Sequence, residues 1–281
     1  MRSILLLTFF AACGAPAPET PATETPTQTE QAATEVQADP MAAALTHAAR
    51  SEADTARDSQ RHPAETLAFF GIEPTDHVLE LWAGSGWYSR VLAPYLADGG
   101  HLHVTQYAHD AEPSYRAEHA TRWEAYRTEH GLESSTSTIT ITADNPQLGV
   151  TDAVDVVLTF RNVHNWVKAD TDASVYAQSF AALKPGGTFG IVEHSAPGMT
   201  REQSAESGYM DQQAVIDAVT AVGFVFEEAS DINANPNDTH DHPEGVWTLP
   251  PSFALDDVDR EKYAAIGESD RMTLRFRKPT Q

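Results

Sequence analysis

Cations are what this chain has least of. Its 281 residues hold 18 Lys and Arg against 41 Asp and Glu, a formal net charge of -23 at pH 7. Charge of that size repels a polyanion at long range and disfavours a surface that tracks phosphates, so no nucleic acid is expected as a partner. It also keeps a protein soluble in salty surroundings and carries no information about the fold. Cysteine occurs once, at Cys13, which excludes a disulfide within the chain. No apolar run reaches the roughly 20 residues that a permanent membrane-spanning helix needs, and no internal repeat is visible.

A short apolar run is present at residues 4–10, preceded by Arg2 and followed by small residues and Cys13. That is the layout of a signal peptide. The string FAAC resembles a bacterial lipoprotein processing site, in which the cysteine is lipidated and becomes the mature N-terminus. The resemblance implies that residues 1–13 are a lipoprotein-type signal ending at Cys13. It further implies an exported, periplasm-facing protein with an N-terminal lipid anchor in a bacterial membrane, the outer membrane because Gly14 rather than Asp follows. An ordinary cleaved signal with a chance cysteine is the alternative. Residues 14–40 are Ala, Pro, Thr, Glu and Gln with almost no large apolar side chain, too little to offset chain entropy by burial. Pro16, Pro18, Pro21 and Pro26 bias them to extended conformations, so they read as a disordered tether.

Residues 41–281 are long enough for one sizeable α/β core. Residues 41–59 and 63–70 read as helices. Strand and helix patterns then alternate: strands at 77–82, 100–107, 137–143, 153–160 and 188–194, with helices at 89–97, 114–130 and 172–184 between them. Alternation of this kind is the signature of a parallel sheet covered on both faces. A helix at 210–223, a strand at 224–230, an irregular Pro- and Asp-rich stretch at 231–270 and a strand at 271–278 complete the chain. A loop of that length is usually a lid or binding loop.

The turn Ala83-Gly84-Ser85-Gly86 follows an apolar strand and opens a helix, where backbone N–H groups can meet an anion or a cofactor carboxylate. Glu80 lies in that strand, and a buried carboxylate is costly without a partner. Together with DVVLTFRNVHNW at 155–166 and LKPGG at 183–187, these residues resemble class I S-adenosylmethionine-dependent methyltransferases. ELWAGSGWYSRVLAPYL, EEASDINANPND and SDRMTLRFRKP are similar to a group of predicted bacterial methyltransferases bearing export signals. The resemblance covers residues 62–278. It implies a doubly wound, mostly parallel seven-stranded sheet of the Rossmann-like methyltransferase type with a reversed last strand, and S-adenosylmethionine as cofactor. It implies that Gly84 and Gly86 shape the loop around the cofactor's amino-acid end, with Glu80 orienting it. Trp82 stands where the usual motif has its first glycine. Gln106 stands where an acid usually takes the ribose hydroxyls, and Asp144 where a loop acid meets the adenine amino group.

Arg161, Asn162, His164, Asn165 and Trp166 cluster at the C-terminal end of a strand, the edge where open α/β sheets place ligands. His164 is the candidate base, with Asn162 and Arg161 beside it, because an imidazole titrates in the range the task needs. Glu193 and His194 close the neighbouring strand. The loop adds Asp238, His240, Asp241 and His242, so His194, His240 and His242 are weak candidates for a metal. Arg271, Arg275 and Arg277 are expected on one solvated face of the last strand. The leading function is methyl transfer to an unknown small-molecule acceptor. A tethered module that binds a nucleoside-like or small polar ligand without turnover is a second reading, and a metal-assisted hydrolase a third. Oligomeric state is not set by these residues.

Overall fold

Apolar runs too continuous to leave one face wet become the centre of a sheet. Seven strands form it: β1 (His77–Leu81), β2 (His101–Tyr107), β3 (Thr136–Ile141), β4 (Val154–Phe160), β5 (Leu183–His194), β6 (Val225–Ser230) and β7 (Arg271–Arg277), in the spatial order β3-β2-β1-β4-β5-β7-β6. β1 to β5 are parallel, and β7 runs antiparallel between β5 and β6. This computed structural model describes residues 39–142 and 146–280, together with Gly14. The expectations for the signal, Cys13 and Asp144 lie outside the described residues, as does the tether except for Gly14, Asp39 and Pro40, the last two of which cap and start the first helix.

The strand order reverses at β1, which has β2 on one side and β4 on the other, and an open sheet has its ligand crevice at that point. Leu79 and Leu81 face one core with Val157, Phe189, Ile191 and Leu274, while Val78 faces the other with Leu92, Leu102 and Leu158. Glu80 is therefore on the second face, among apolar side chains. Gly190 in β5 permits a close approach on that face. A Cβ there would stand 2.7 Å from the Phe70 ring.

The helices, in chain order, are α1 (Pro40–Leu45), α2 (Glu52–Thr55), α3 (Asp58–Arg61), α4 (Pro63–Phe70), α5 (Ser89–Tyr95), α6 (Ser114–Glu129), α7 (Val163–Lys168), α8 (Asp172–Ala182), α9 (Arg201–Ser207), α10 (Gln212–Ala221) and α11 (Arg260–Ile266). The single helix expected over 41–59 is replaced by α1, α2 and α3. Ser51 and Asp54 form a capping box that starts α2 afresh, and the buried Arg50 guanidinium joins the Leu45 carbonyl to the Asp58 carboxylate, folding the segment back on itself. The helix expected to run to 184 stops at Ala182, because Leu183 already pairs with Val154 and β5 begins there.

Residues 231–270 contain a 3-10 turn at Gly245–Thr248 and helix α11. Buried polar side chains hold them. Asp238 accepts hydrogen bonds from the Tyr209 hydroxyl at 2.7 Å and from the Asp270 N–H at 2.7 Å, and the Asn233 amide donates to Thr66 and Thr273. Reversal of β7 also corrects the expectation for its arginines. Arg275 and Arg277 pair with Glu227 on the outer edge. Arg271, being the first residue of an antiparallel strand, lies opposite His194 at the ligand edge, buried and bonded to Glu268.

Candidate functional site

Three cavities meet at the C-terminal edge of the parallel strands, and the turn after β1 separates two of them. Trp82, Gly84 and Gly86 all have positive φ, at 47°, 58° and 77°. The two glycines adopt that region freely, whereas Trp82 is held in it. Its N–H donates to Thr105 Oγ1 at 2.6 Å, its indole N–H donates to the Tyr107 hydroxyl at 2.9 Å, and its ring packs 5.1 Å from that of Trp166. The Gln106 amide N–H donates to the Gly84 carbonyl at 3.0 Å, so this side chain braces the turn. The Asn162 amide is a clamp. It donates to the Leu81 carbonyl at 3.1 Å, the Phe160 carbonyl at 3.3 Å and Thr159 Oγ1 at 3.1 Å, tying the ends of β1 and β4 together.

On one side of the turn is a cleft of about 360 Å³ lined by Trp82, Gly84, Gln106, Tyr107, Asn165 and Trp166. The Trp166 indole N–H there is buried without a partner. On the other side a cavity of about 220 Å³ is bounded by Glu80, Gly84, Tyr88, Phe160 and the arginines Arg61 and Arg161. Glu80 accepts the Ser89 hydroxyl at 2.6 Å, and burial pushes its carboxyl up to about 7. Arg61 is 1% exposed, stacks over Trp87 and bonds Glu268 through Nε, while neither Nη has a hydrogen-bond partner.

A third cavity, also about 220 Å³, is lined by Arg161, His164, Asn165, His194, Trp247 and Ser269. Glu193, fully buried at the end of β5, organises it. One oxygen accepts the backbone N–H groups of Val163 and His164, and the other accepts the His194 N–H at 2.8 Å and the His164 ring Nδ1 at 3.0 Å. A carboxylate only accepts, so in the neutral ring of His164 it is Nδ1 that carries the hydrogen and Nε2 that has the lone pair. His194 Nδ1 bonds the Ser269 hydroxyl. Burial, then the nearby His164 and Arg161, hold His194 well below its ordinary pKa, so it stays neutral.

Among the described residues, His164, Glu193 and His194 are the metal-type group that comes together, with ligand atoms within 4.8 Å of one another. His240 and His242 do not join it. They face Asp270 at 3.4 Å and Asp238 at 2.8 Å. Both Glu193 oxygens are already engaged, and Arg161, Arg271 and Arg61 give the pocket a positive field, which opposes a cation. Sequence reasoning missed Arg61, Glu268 and Trp247. No local signal marks them, since Arg61 and Glu268 meet across 207 positions of chain.

No family model and no curated protein matches this sequence. Solved structures do match. One is an S-adenosylmethionine-dependent methyltransferase from Aquifex aeolicus, 13% identical, covering 79% of this chain and 93% of its own, with a TM-score of 0.53. Another is the [4+2]-cyclase SpnF, 16% identical, covering 79% of this chain and 82% of its own, with a TM-score of 0.57. The two carry different chemistry by name on one architecture, so function has to be argued from the site. The strand order and the reversed β7, together with these likenesses, give the chain the Rossmann-like fold of class I S-adenosylmethionine-dependent methyltransferases.

Proposed function

We propose that the domain binds S-adenosylmethionine and moves its methyl group to a small-molecule acceptor. The observation that carries this reading is the junction at Asn162 and Asn165, where the cavities astride the glycine turn meet the cavity that holds an oriented histidine. The residues present fit the cofactor. Unpartnered Nη groups of Arg61 suit a carboxylate, the Gln106 side chain in the cleft wall suits a ribose hydroxyl, and the unpartnered Trp166 indole N–H suits an acceptor. When bound, the cofactor supplies an electrophilic methyl on a sulfonium. Asn162 keeps the turn and the β4 end in register, and Asn165 and Trp247 bound the acceptor's space. His164 Nε2 takes the proton that an acceptor O–H or N–H loses as its new bond to carbon forms, and Glu193 stabilises the resulting imidazolium.

Calorimetric titration of the full chain with S-adenosylmethionine and S-adenosylhomocysteine is expected to show both binding at micromolar concentration, about -8 kcal/mol. A folded sample that gives no heat with either ligand at high micromolar concentration overturns the reading. Binding without turnover is the second reading, favoured by the Trp82 ring standing in the cleft wall. Binding of both ligands with no methylated product from any acceptor would support that one instead.

For location, we propose an exported protein anchored to a bacterial membrane by lipid on Cys13. Cys13→Ser is expected to move the protein from the membrane to the soluble fraction on cell fractionation. A variant that stays with the membrane rules out the anchor.

A further inference from the structure

Four arginines converge beside the acceptor cavity, and three of them share one carboxylate. Arg57, Arg61 and Arg271 all pair with Glu268, at 2.6, 3.0 and 3.1 Å. Arg161 feels the same carboxylate without bonding it. It holds a left-handed backbone at φ 62°, fixed by its N–H on the Val192 carbonyl at 2.7 Å, and no described residue hydrogen-bonds its guanidinium. Arg161 is half-buried, and it lines both the cavity at the glycine turn and the one that holds His164. Burial, the largest cause, and the other arginines push Arg61 and Arg161 below the ordinary guanidinium value, while Glu268 opposes the shift.

Buried charge without compensation is costly, and this cluster lies in a protein with acidic residues in large excess. Charge counting names what is missing. Glu268 offsets one of the four cations, solvent reaches Arg57, and a cofactor carboxylate on Arg61 offsets another. One remains, with Arg161 at the wall shared with the acceptor cavity. Buried Glu193 is engaged with His164, and His194 is neutral, so neither supplies the balance.

We propose that the acceptor is an anion, a small molecule bearing a carboxylate or phosphate that Arg161 binds, with its nucleophile presented to His164 Nε2. This rests on the methyl-transfer reading and narrows it. Trp247, Val246, Pro250 and Pro251 line the same cavity, whose surface is otherwise polar through Asn165, His194, Ser252 and Ser269. The requirement is one anionic head on a molecule small enough for a cavity of about 220 Å³. An Arg fork bonds carboxylate or phosphate oxygens in pairs, which would orient the acceptor as well as hold it.

The test uses the full chain saturated with S-adenosylhomocysteine, titrated calorimetrically with sodium benzoate and with inorganic phosphate. At least one anion is expected to bind in the millimolar range or tighter, and Arg161→Gln is expected to weaken it about tenfold or more. Arg161→Lys, which keeps the charge and loses the fork, should fall between the two, and it serves as the readout if the glutamine variant does not fold. S-adenosylhomocysteine affinity is the control in every sample. Its absence defeats the methyl-transfer reading itself, whereas its presence with no anion binding defeats the present one alone. Anion binding that S-adenosylhomocysteine displaces assigns the arginines to the cofactor carboxylate and overturns the proposal, as does equal anion affinity in the wild type and both variants.

Discussion

Glu193→Ala is expected to lower the unfolding free energy by about 3–5 kcal/mol. The carboxylate is fully buried and accepts from Val163, His164 and His194 backbone N–H groups and from the His164 ring. Truncation strands four donors where water cannot reach them. In a domain of this size the loss corresponds to a melting temperature lower by roughly 6–20 °C. Glu193→Gln keeps the volume but turns one acceptor into a donor, at about 1–3 kcal/mol. If its NH₂ faces the ring, His164 must place its hydrogen on Nε2, and the base is lost. Urea denaturation checks the energies, and ¹⁵N shifts of the His164 imidazole check the tautomer without needing an acceptor. With an acceptor in hand, transfer by the glutamine variant should fall by roughly 10²- to 10⁴-fold. Two variants within about 0.5 kcal/mol of the wild type, with the tautomer unchanged, would show that Glu193 organises nothing.

Much of the fold was legible because burial on both faces leaves a mark. VLEL and VVLTF have no polar alternation, and each becomes a strand at the middle of the sheet. Glycine spacing after β1 was equally plain, since Gly84 and Gly86 do adopt the positive φ that their turn needs. The first helical stretch was misjudged because propensity favours one helix through 41–59. Its breaks come from a local cap at Ser51 and from Arg50 reaching Asp58, and a composition window weighs neither.

At the site, the residues that close neighbouring parallel strands were found, His164 meeting Glu193 and His194 as expected, while partners on other elements were not. Arg161, Asn162 and His164 follow one strand and stand together as the sequence suggests. The duty of Asn162 was hidden, because its partners Leu81 and Trp82 belong to another strand and the turn that follows it. Arg271 looked like one of a solvated row by its period of two. The antiparallel direction of β7, which a local pattern cannot report, carries it to the ligand edge. Arg61 and Glu268, far apart in the chain, could be joined by no pattern at all.

Glu80→Gln is expected to stabilise the domain at pH 8 by about 1–3 kcal/mol and to do nothing at pH 4. Burial is the cause, raising the carboxyl from 4.5 to about 7 with the Ser89 hydroxyl as its hydrogen-bond donor. Below pH 4.5 both the folded and the unfolded chain hold the proton, and the group costs nothing. Between 4.5 and 7 the unfolded chain releases it while the folded chain keeps it, so stability falls as pH rises. Above 7 the folded chain bears a buried charge, and the whole loss is present. Glutamine cannot ionise and can still accept from Ser89 through its amide oxygen, so its stability curve should meet that of the wild type near pH 4.5 and lie above it at pH 8. The same substitution should weaken S-adenosylmethionine binding most at alkaline pH, because a sulfonium and an ammonium favour the ionised carboxyl beside the glycine turn. Wild-type affinity should therefore rise through pH 7 relative to the variant. Parallel stability curves, or a variant less stable than the wild type at pH 8, would remove Glu80 as the buried acid that the turn is built around.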